Sequence, residues 1–116
     1  LSKEEEFEQS EEELEPLKGL SELFDDSALR SSARLLILIS LALNKRLGFV
    51  DLLGLTGAGK GSLSNHLERL RSNGYVKTRI VPTLSGPRLM AEITEKGLDT
   101  YKEYLKLVEK IRDSKK

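Results

Sequence analysis

Apolar residues recur along this chain at two different periods, and the change between them marks its organisation. Behind Pro16, Leu17, Leu20, Leu23 and Phe24 follow at roughly helical spacing. Proline costs nothing in a first helical turn, so the spacing predicts a short docking helix opening there. Asp25, Asp26 and Ser27 offer oxygens to free amides at a positive dipole end and predict the start of a second helix, running to about Arg46. Its centre, Leu35-Leu36-Ile37-Leu38-Ile39, is apolar all round, as in a helix buried on most sides. After an extended link at Leu47-Gly48, the positions Phe49, Leu52, Leu53 and Thr56 predict a short helix that Gly57 ends in the left-handed conformation. Ala58 is small enough for a tight turn, and Gly59 is a weak cap for a further helix over about 60–73. Leu63, His66, Leu67 and Leu70 lie on one face of it.

Beyond Asn73-Gly74 the period falls to about two. Tyr75 to Val81 is rich in β-formers, Pro82 to Arg88 reads as a loop bracketed by prolines, and Leu89 to Ile93 as a returning strand. Together they predict a hairpin with an extended tip, a wing over about 75–93. Thr94 caps a last helix over about 95–113, whose apolar stripe is Leu98, Tyr101, Leu105 and Val108, widened by Tyr104, Leu107 and Ile111. The predicted class is mainly α with a small β-hairpin (α+β). Its order of elements is that of a winged helix-turn-helix with extra N- and C-terminal helices.

With 116 residues, 38% hydrophobic and 33% charged, the chain has room for one modest core under a charged surface. Without cysteine it has no disulfide, thiolate metal site or cysteine nucleophile. Its longest apolar stretch, Leu35 to Leu43, is far short of the ~20 residues of a bilayer span, and no basic-then-apolar leader opens it. The expectation is a soluble cytoplasmic protein whose true start precedes Leu1. A formal net charge of zero conceals a division, with residues 1–26 at −9 and residues 27–116 at +9. Residues 27–91 carry ten bases against Asp51 and Glu68 alone. Opposed blocks of this kind predict a basic working surface with an acidic appendage. The acidic leader, 1–15, is expected to be disordered or loosely helical, either a solvated extension or a flap over the basic face. Residues 16–116 form the predicted domain.

The helix over 60–73 carries the candidate chemistry. With Leu63, Leu67 and Leu70 inward, Gly61, Asn65, Arg69 and Ser72 face out and Ser62 lies near the edge. Asn can bond adenine and Arg guanine in a major groove, each with two hydrogen bonds. Gly61 lets the helix N-terminus approach a phosphate. Lys60, Ser62, Asn65 and Arg69 are therefore expected to read bases, and Ser64, Lys77, Arg79, Ser85 and Arg88 to touch backbone or minor groove. Arg69→Ala would then relax base preference, and Arg88→Ala would weaken all sequences alike.

Gly54 to Gly61 nearly spells a phosphate-binding loop, but Gly61 follows Lys60 where Ser or Thr must hold magnesium, and a helix precedes it instead of a strand. His66, the single histidine, is expected to be structural and hydrogen-bonded. No nucleophile, metal site or cofactor is expected, and no enzyme.

Four ordered motifs carry a family resemblance. Ala33-Arg34-Leu35-Leu36-Ile37-Leu38 resembles the Arg-x-x-Ile-Leu opening of winged-helix regulators related to MarR and ArsR. Leu55 to Leu67, with its Leu-Ser-x-His-Leu core, is similar to their turn and recognition helix. Asn73-Gly74-Tyr75-Val76 and Ile93-Thr94-Glu95-Lys96-Gly97 match the steps into the wing and into the last helix. Gly59 departs from the pattern, which has Ser or Thr as the cap. The resemblance, over roughly residues 28–105, implies a cytoplasmic transcription regulator binding double-stranded DNA as a homodimer. Leu98, Tyr101, Tyr104, Leu105, Val108 and Ile111 form a stripe wider than one small core needs, consistent with a dimer seam. The aromatic content does not indicate a large aromatic effector pocket and leaves room for a small-molecule effector. The rival reading is a winged helix serving as a protein-interaction module.

Overall fold

Two separate caps stand where the sequence suggested one. Asp26 accepts from the Ala28 amide and opens only a 3₁₀ turn, Ser27–Leu29. Ser31 then accepts from the Arg34 amide at 3.2 Å and opens the long apolar helix. A computed structural model of the chain describes residues 11–114, with side chains from residue 14 onward. Its elements are α1 (Glu11–Leu23), the 3₁₀ turn, α2 (Ser32–Asn44), β1 (Arg46–Gly48), α3 (Phe49–Thr56), α4 (Lys60–Ser72), β2 (Val76–Thr83), β3 (Gly86–Ile93) and α5 (Glu95–Asp113). Helix α2 thus begins and ends inside the predicted bounds.

Ile37, Leu38 and Leu41 of α2 meet Leu52 of α3, Leu63, Leu67 and Leu70 of α4, and Tyr75, Val76 and Ala91 of the wing in one buried cluster. Each such Leu or Ile contributes about 1.5–3 kcal/mol by leaving water, and together they fix how α4 sits against α2. Lys45 leaves α2 with a positive φ of +68°, which turns the chain sharply into β1. Its carbonyl accepts from Ile93 N at 2.9 Å. The expected link at Leu47-Gly48 is therefore a strand, held by β3 along Arg46↔Glu92, Leu47↔Ala91 and Gly48↔Met90. The sheet order is β1-β3-β2, all antiparallel.

The extended tip is absent. The strands run on through the facing pair Pro82↔Pro87 to Thr83↔Gly86, leaving only Leu84 and Ser85 in the turn. Thr83 Oγ1 accepts from Ser85 N at 3.2 Å and donates to Gly86 O at 2.5 Å. Gly86 takes φ +105°, open to glycine alone without strain. Both prolines lack an N–H and are accommodated because β2 is an edge strand and β3 has no second neighbour at Pro87.

Pro16 stands in the second turn of α1, not the first, and is buried. The leader's last residues, 11–15, are helical, and residues 1–10 lie outside the described residues. Helix α1 runs antiparallel to α5. Gly19 permits the approach, since a Cβ there would stand 2.6 Å from Leu107 Cδ2. Phe24 tilts against Tyr104 with ring centroids 6.5 Å apart. Thr94 caps α5 as expected, accepting from Gly97 N at 3.0 Å. Of the predicted stripe, Leu107 is buried in this contact, while Leu105 and Val108 are each 37% exposed.

Candidate nucleic-acid interface

Helix α4 is built to show one side. Leu63, Leu67 and Leu70 are buried, whereas Lys60, Gly61, Ser62, Ser64, Asn65 and Arg69 are exposed. Gly57, at φ +66°, ends α3, and Gly59 caps α4 with no side-chain hydrogen bond. A Cβ at Gly59 or Gly61 would meet nothing within 4 Å, so the start of α4 is open to a large partner. The carboxylate on this helix is occupied, since Glu68 accepts from Arg71 at 2.6 and 2.8 Å. That pairing holds the Glu68 carboxyl below its ordinary range. A polyanion approaching α4 therefore meets amide, hydroxyl and cationic groups with little repulsion.

Arg34 determines where α4 lies. Its Nε donates to Ala28 O at 2.6 Å, its Nη2 to Ser27 O at 3.3 Å, and its Nη1 lies 3.0 Å from His66 Nδ1. One planar fork thus ties α2 to the 3₁₀ turn and to α4. Beside it Arg69 Nη2 donates to Ser27 Oγ at 3.2 Å, so Arg69 is turned toward the 3₁₀ turn and shares its guanidinium with the protein. Asp26 accepts from Tyr75 Oη at 2.5 Å, and Lys96 Nζ lies 4.6 Å from the Tyr75 ring centroid. Burial raises the Asp26 carboxyl, but the Tyr75 and Ala28 hydrogen bonds and the charges of Lys96 and Arg69 outweigh it and leave it lowered. Burial and the bond to Asp26 push the Tyr75 hydroxyl up.

Facing a donor that is always charged, His66 Nδ1 must accept, so the ring is neutral with its proton on Nε2. This is the hydrogen-bonded structural histidine expected from the sequence. Burial, then Arg34, then Arg69 lower its pKa from the ordinary 6.5. The unfolded chain therefore binds more protons than the folded one between the lowered value and 6.5. Stability from His66 is complete above that window and is lost as the pH falls through it. Urea midpoints taken from neutral pH down to about pH 5 should fall further for the native chain than for His66→Gln, which cannot titrate. Equal falls would remove His66 as the source.

The wing places the other expected residues in two groups. Ser85 and Arg88 are exposed at the tip, next to the solvent-facing Leu84. A cleft of about 550 Å³, lined by Phe49, Val50, Leu53, Leu89 and Met90, separates Arg88 from Lys60. Lys77 and Arg79 lie farther from the tip, on the same face of the sheet as Arg88. Thr78 and Leu89 border α4 alongside Ser64 and Glu68, so by alternation Lys77 and Arg79 face away from it. Lys77 Nζ is 3.4 Å from Glu92 Oε2, and Arg46, which the sequence reading passed over, lines the same hollow. Its strand pairing is long-range and left no local signal. Among the described residues no cluster of His, Cys, Asp or Glu could hold a metal ion, and no helix is long and apolar enough to cross a membrane.

Comparison with known proteins agrees with this geometry. No curated protein sequence matches the chain. Among solved structures, a transcriptional regulator homologue from Pyrococcus horikoshii OT3 is 29% identical, with a TM-score of 0.72 over 84% of this chain and 96% of that one. Two others share the fold at lower identity. The transcriptional regulator Tm0710 from Thermotoga maritima is 22% identical, with a TM-score of 0.60 over 84% of this chain and 64% of its own. BpsR from Bordetella bronchiseptica, whose DNA binding is regulated by 6-hydroxynicotinic acid, is 18% identical, with a TM-score of 0.56 over 72% and 58%. The winged helix-turn-helix resemblance drawn from the four motifs is borne out by the model of the winged helix DNA-binding domain, which matches residues 33–111. Since that match takes in the tight turn, α4 and the whole wing, the chain belongs to the winged helix DNA-binding domain family.

Proposed function

We propose that this chain is a sequence-specific transcription regulator that holds double-stranded DNA as a cytoplasmic homodimer. The observation that carries the reading is the outward side of α4, which is polar and cationic, with its glutamate neutralised by Arg71. Lys60, Ser62 and Asn65, in the first two turns, would reach base edges, as recognition helices read with their N-terminal residues. Arg69 lies three residues beyond His66, which Arg34 holds, and would use the nitrogens that Ser27 leaves open. Ser64, Ser85 and Arg88 would hold backbone or minor groove, and Lys77 and Arg79 backbone alone.

The dimer is inferred from α5. Leu105 and Val108 stand exposed on α5, away from the side on which Leu107 packs against Gly19 of α1, with Leu98 and Tyr101 half-buried beside them. A second copy covering them would set two α4 helices one duplex turn, ~34 Å, apart.

The test selects bound duplexes from a random pool and measures affinity against salt. Two chains per duplex and a steep fall with salt are expected, because phosphate contacts release counterions. Asn65→Ala should cost about 1–3 kcal/mol on the selected duplex and little on random DNA, whereas Arg88→Ala should weaken both alike. A flat salt response, or equal losses for both variants on both duplexes, would sink the reading and favour the protein-interaction module.

A further inference from the structure

On that reading Ser85 and Arg88 give the wing tip its polar contacts, yet the outer wing also shows an apolar strip that they leave unused. Thr78 borders α4, so alternation puts Ile80 and Pro82 on that same side of β2, paired with Leu89 and Pro87 of β3. Leu89 also borders α4, whereas Ile80, Pro82 and Pro87 overhang it and are exposed. Ile80 is 62% exposed, and Leu84, in the turn that ends the strip, is wholly exposed. One leucine in water is ordinary, but a strip of apolar residues leading out to it calls for a partner. The tip is also stiff. Pro82 and Pro87 have fixed φ and face each other across the ladder. Thr83 Oγ1 ties the turn by accepting from Ser85 N and donating to Gly86 O. Leu84 is thus held out in solvent, without the burial that stabilises the core leucines.

The charges around Leu84 point to its occupant. From Val76 to Ala91 the hairpin has no Asp or Glu, and Lys77, Arg79 and Arg88 are its only charged residues. An apolar tip backed by cations and free of carboxylates fits a partner with anionic walls and an uncharged, stackable interior, which describes a DNA groove. A minor groove is ~6 Å wide, and the two strands of a hairpin already stand ~4.8 Å apart without their side chains. Only side chains of the turn can therefore reach its floor unless the groove is opened. Apolar wedges open it, by entering between base pairs and kinking the duplex toward the major groove. We propose that Leu84 is such a wedge, entering between two base pairs from the minor groove beside the segment read by α4. Ile80, Pro82 and Pro87 then lie against the sugars behind it. Pyrimidine–purine steps, TA and CA/TG, unstack most readily, so the wedge selects a step with which it makes no hydrogen bond. The inference rests on the DNA-binding reading above. It adds to it a bend and a chosen step, neither of which the polar contacts of Ser85 and Arg88 supply.

The experiment selects duplexes from a random pool with the native chain, Leu84→Ser and Leu84→Met in parallel, and measures bending by energy transfer between dyes at the duplex ends. Leu84 is wholly exposed, so neither change disturbs the core. The native and Leu84→Met pools should share a TA or CA/TG step at a fixed distance from the core sequence, in duplexes bent by about 20–90°. The Leu84→Ser pool should keep the core sequence, lose the step and stay nearly straight. A mismatch placed at that step is already partly unstacked. It should raise native affinity about tenfold and that of Leu84→Ser less than about twofold. A native chain that binds the core without bending it, or equal bending and step preference in native and Leu84→Ser, overturns the wedge alone. Failure of all three proteins to enrich any duplex overturns the DNA-binding reading and this inference with it.

Discussion

Gly97→Ala should destabilise the chain by about 2–4 kcal/mol, among the larger effects available to one added methyl group. Gly97 is buried at the start of α5, and a Cβ there would stand 2.2 Å from Tyr75 O and 2.9 Å from Ile93 Cδ1. The Tyr75 carbonyl cannot withdraw cheaply, because it accepts from Thr94 N at 3.1 Å and Thr94 Oγ1 at 2.9 Å. The Tyr75 ring end is held too, by Asp26 and Lys96. Alanine's better helix propensity, worth about 1 kcal/mol, offsets only part of the clash. Thermal unfolding should show a midpoint lower by about 10–20 °C. Gly61→Ala supplies the contrast, since its Cβ would meet nothing within 4 Å. That change should leave the fold as stable or raise the midpoint slightly. A Gly97→Ala midpoint within a degree or two of the native one would show that the junction between wing and α5 is looser than its geometry says.

Arg34→Met is the second large expectation, at about 2–4 kcal/mol. Methionine keeps the apolar stem and removes three hydrogen bonds at once, to Ala28 O, Ser27 O and His66 Nδ1. Two of these are part-buried, so acceptors are left unsatisfied rather than merely exchanged for water. Lysine should not rescue the loss, because a single ammonium cannot span three acceptors in a planar fork. The variant also tests the account of His66. With the Arg34 charge gone, one of the causes that lower the His66 pKa is removed, so the window between the folded value and 6.5 should narrow and less stability should be lost on acidification. DNA affinity should fall more than stability alone explains, because Arg34 holds α4 against the 3₁₀ turn. Native-like stability in Arg34→Met would reduce the fork to a surface contact.

The elements legible in the sequence are those whose ends are set by local chemistry. Phe49–Thr56, the left-handed Gly57, the Gly59 cap, Lys60 at the start of α4 and the Thr94 cap all fall where the residues placed them. Each is fixed within three or four residues of itself. The misplacements have a common cause in competing or distant partners. Asp26 and Ser31 are both good caps five residues apart, and only tertiary contact decides that Asp26 opens a 3₁₀ turn. The partner of Arg46–Gly48 lies more than forty residues away, so a strand looked like a link. Pro82 and Pro87 signal a break to any local rule, yet at the outer end of a hairpin they sit where no neighbouring strand asks for their missing donor.

Site residues follow the same division. Exposure of the α4 face was readable from its 3.6-residue period, and so was the structural role of His66. The orientation of Arg69 toward Ser27 was not, because Ser27 is 42 residues away in sequence. Nor could alternation alone say which face of β2 looks at α4, and this moved Lys77 and Arg79 to the far side.

The doubled prolines of the wing have a consequence beyond its shape. Strand β2 has one bare edge, and an edge whose amides point into solvent invites another molecule's strand to add to it. Pro82 interrupts that row, and Lys77 and Arg79 add charge along the strand. A wing exposed enough to meet a large partner is thereby kept from stitching itself to the wing of a neighbouring molecule, the first step toward a fibril.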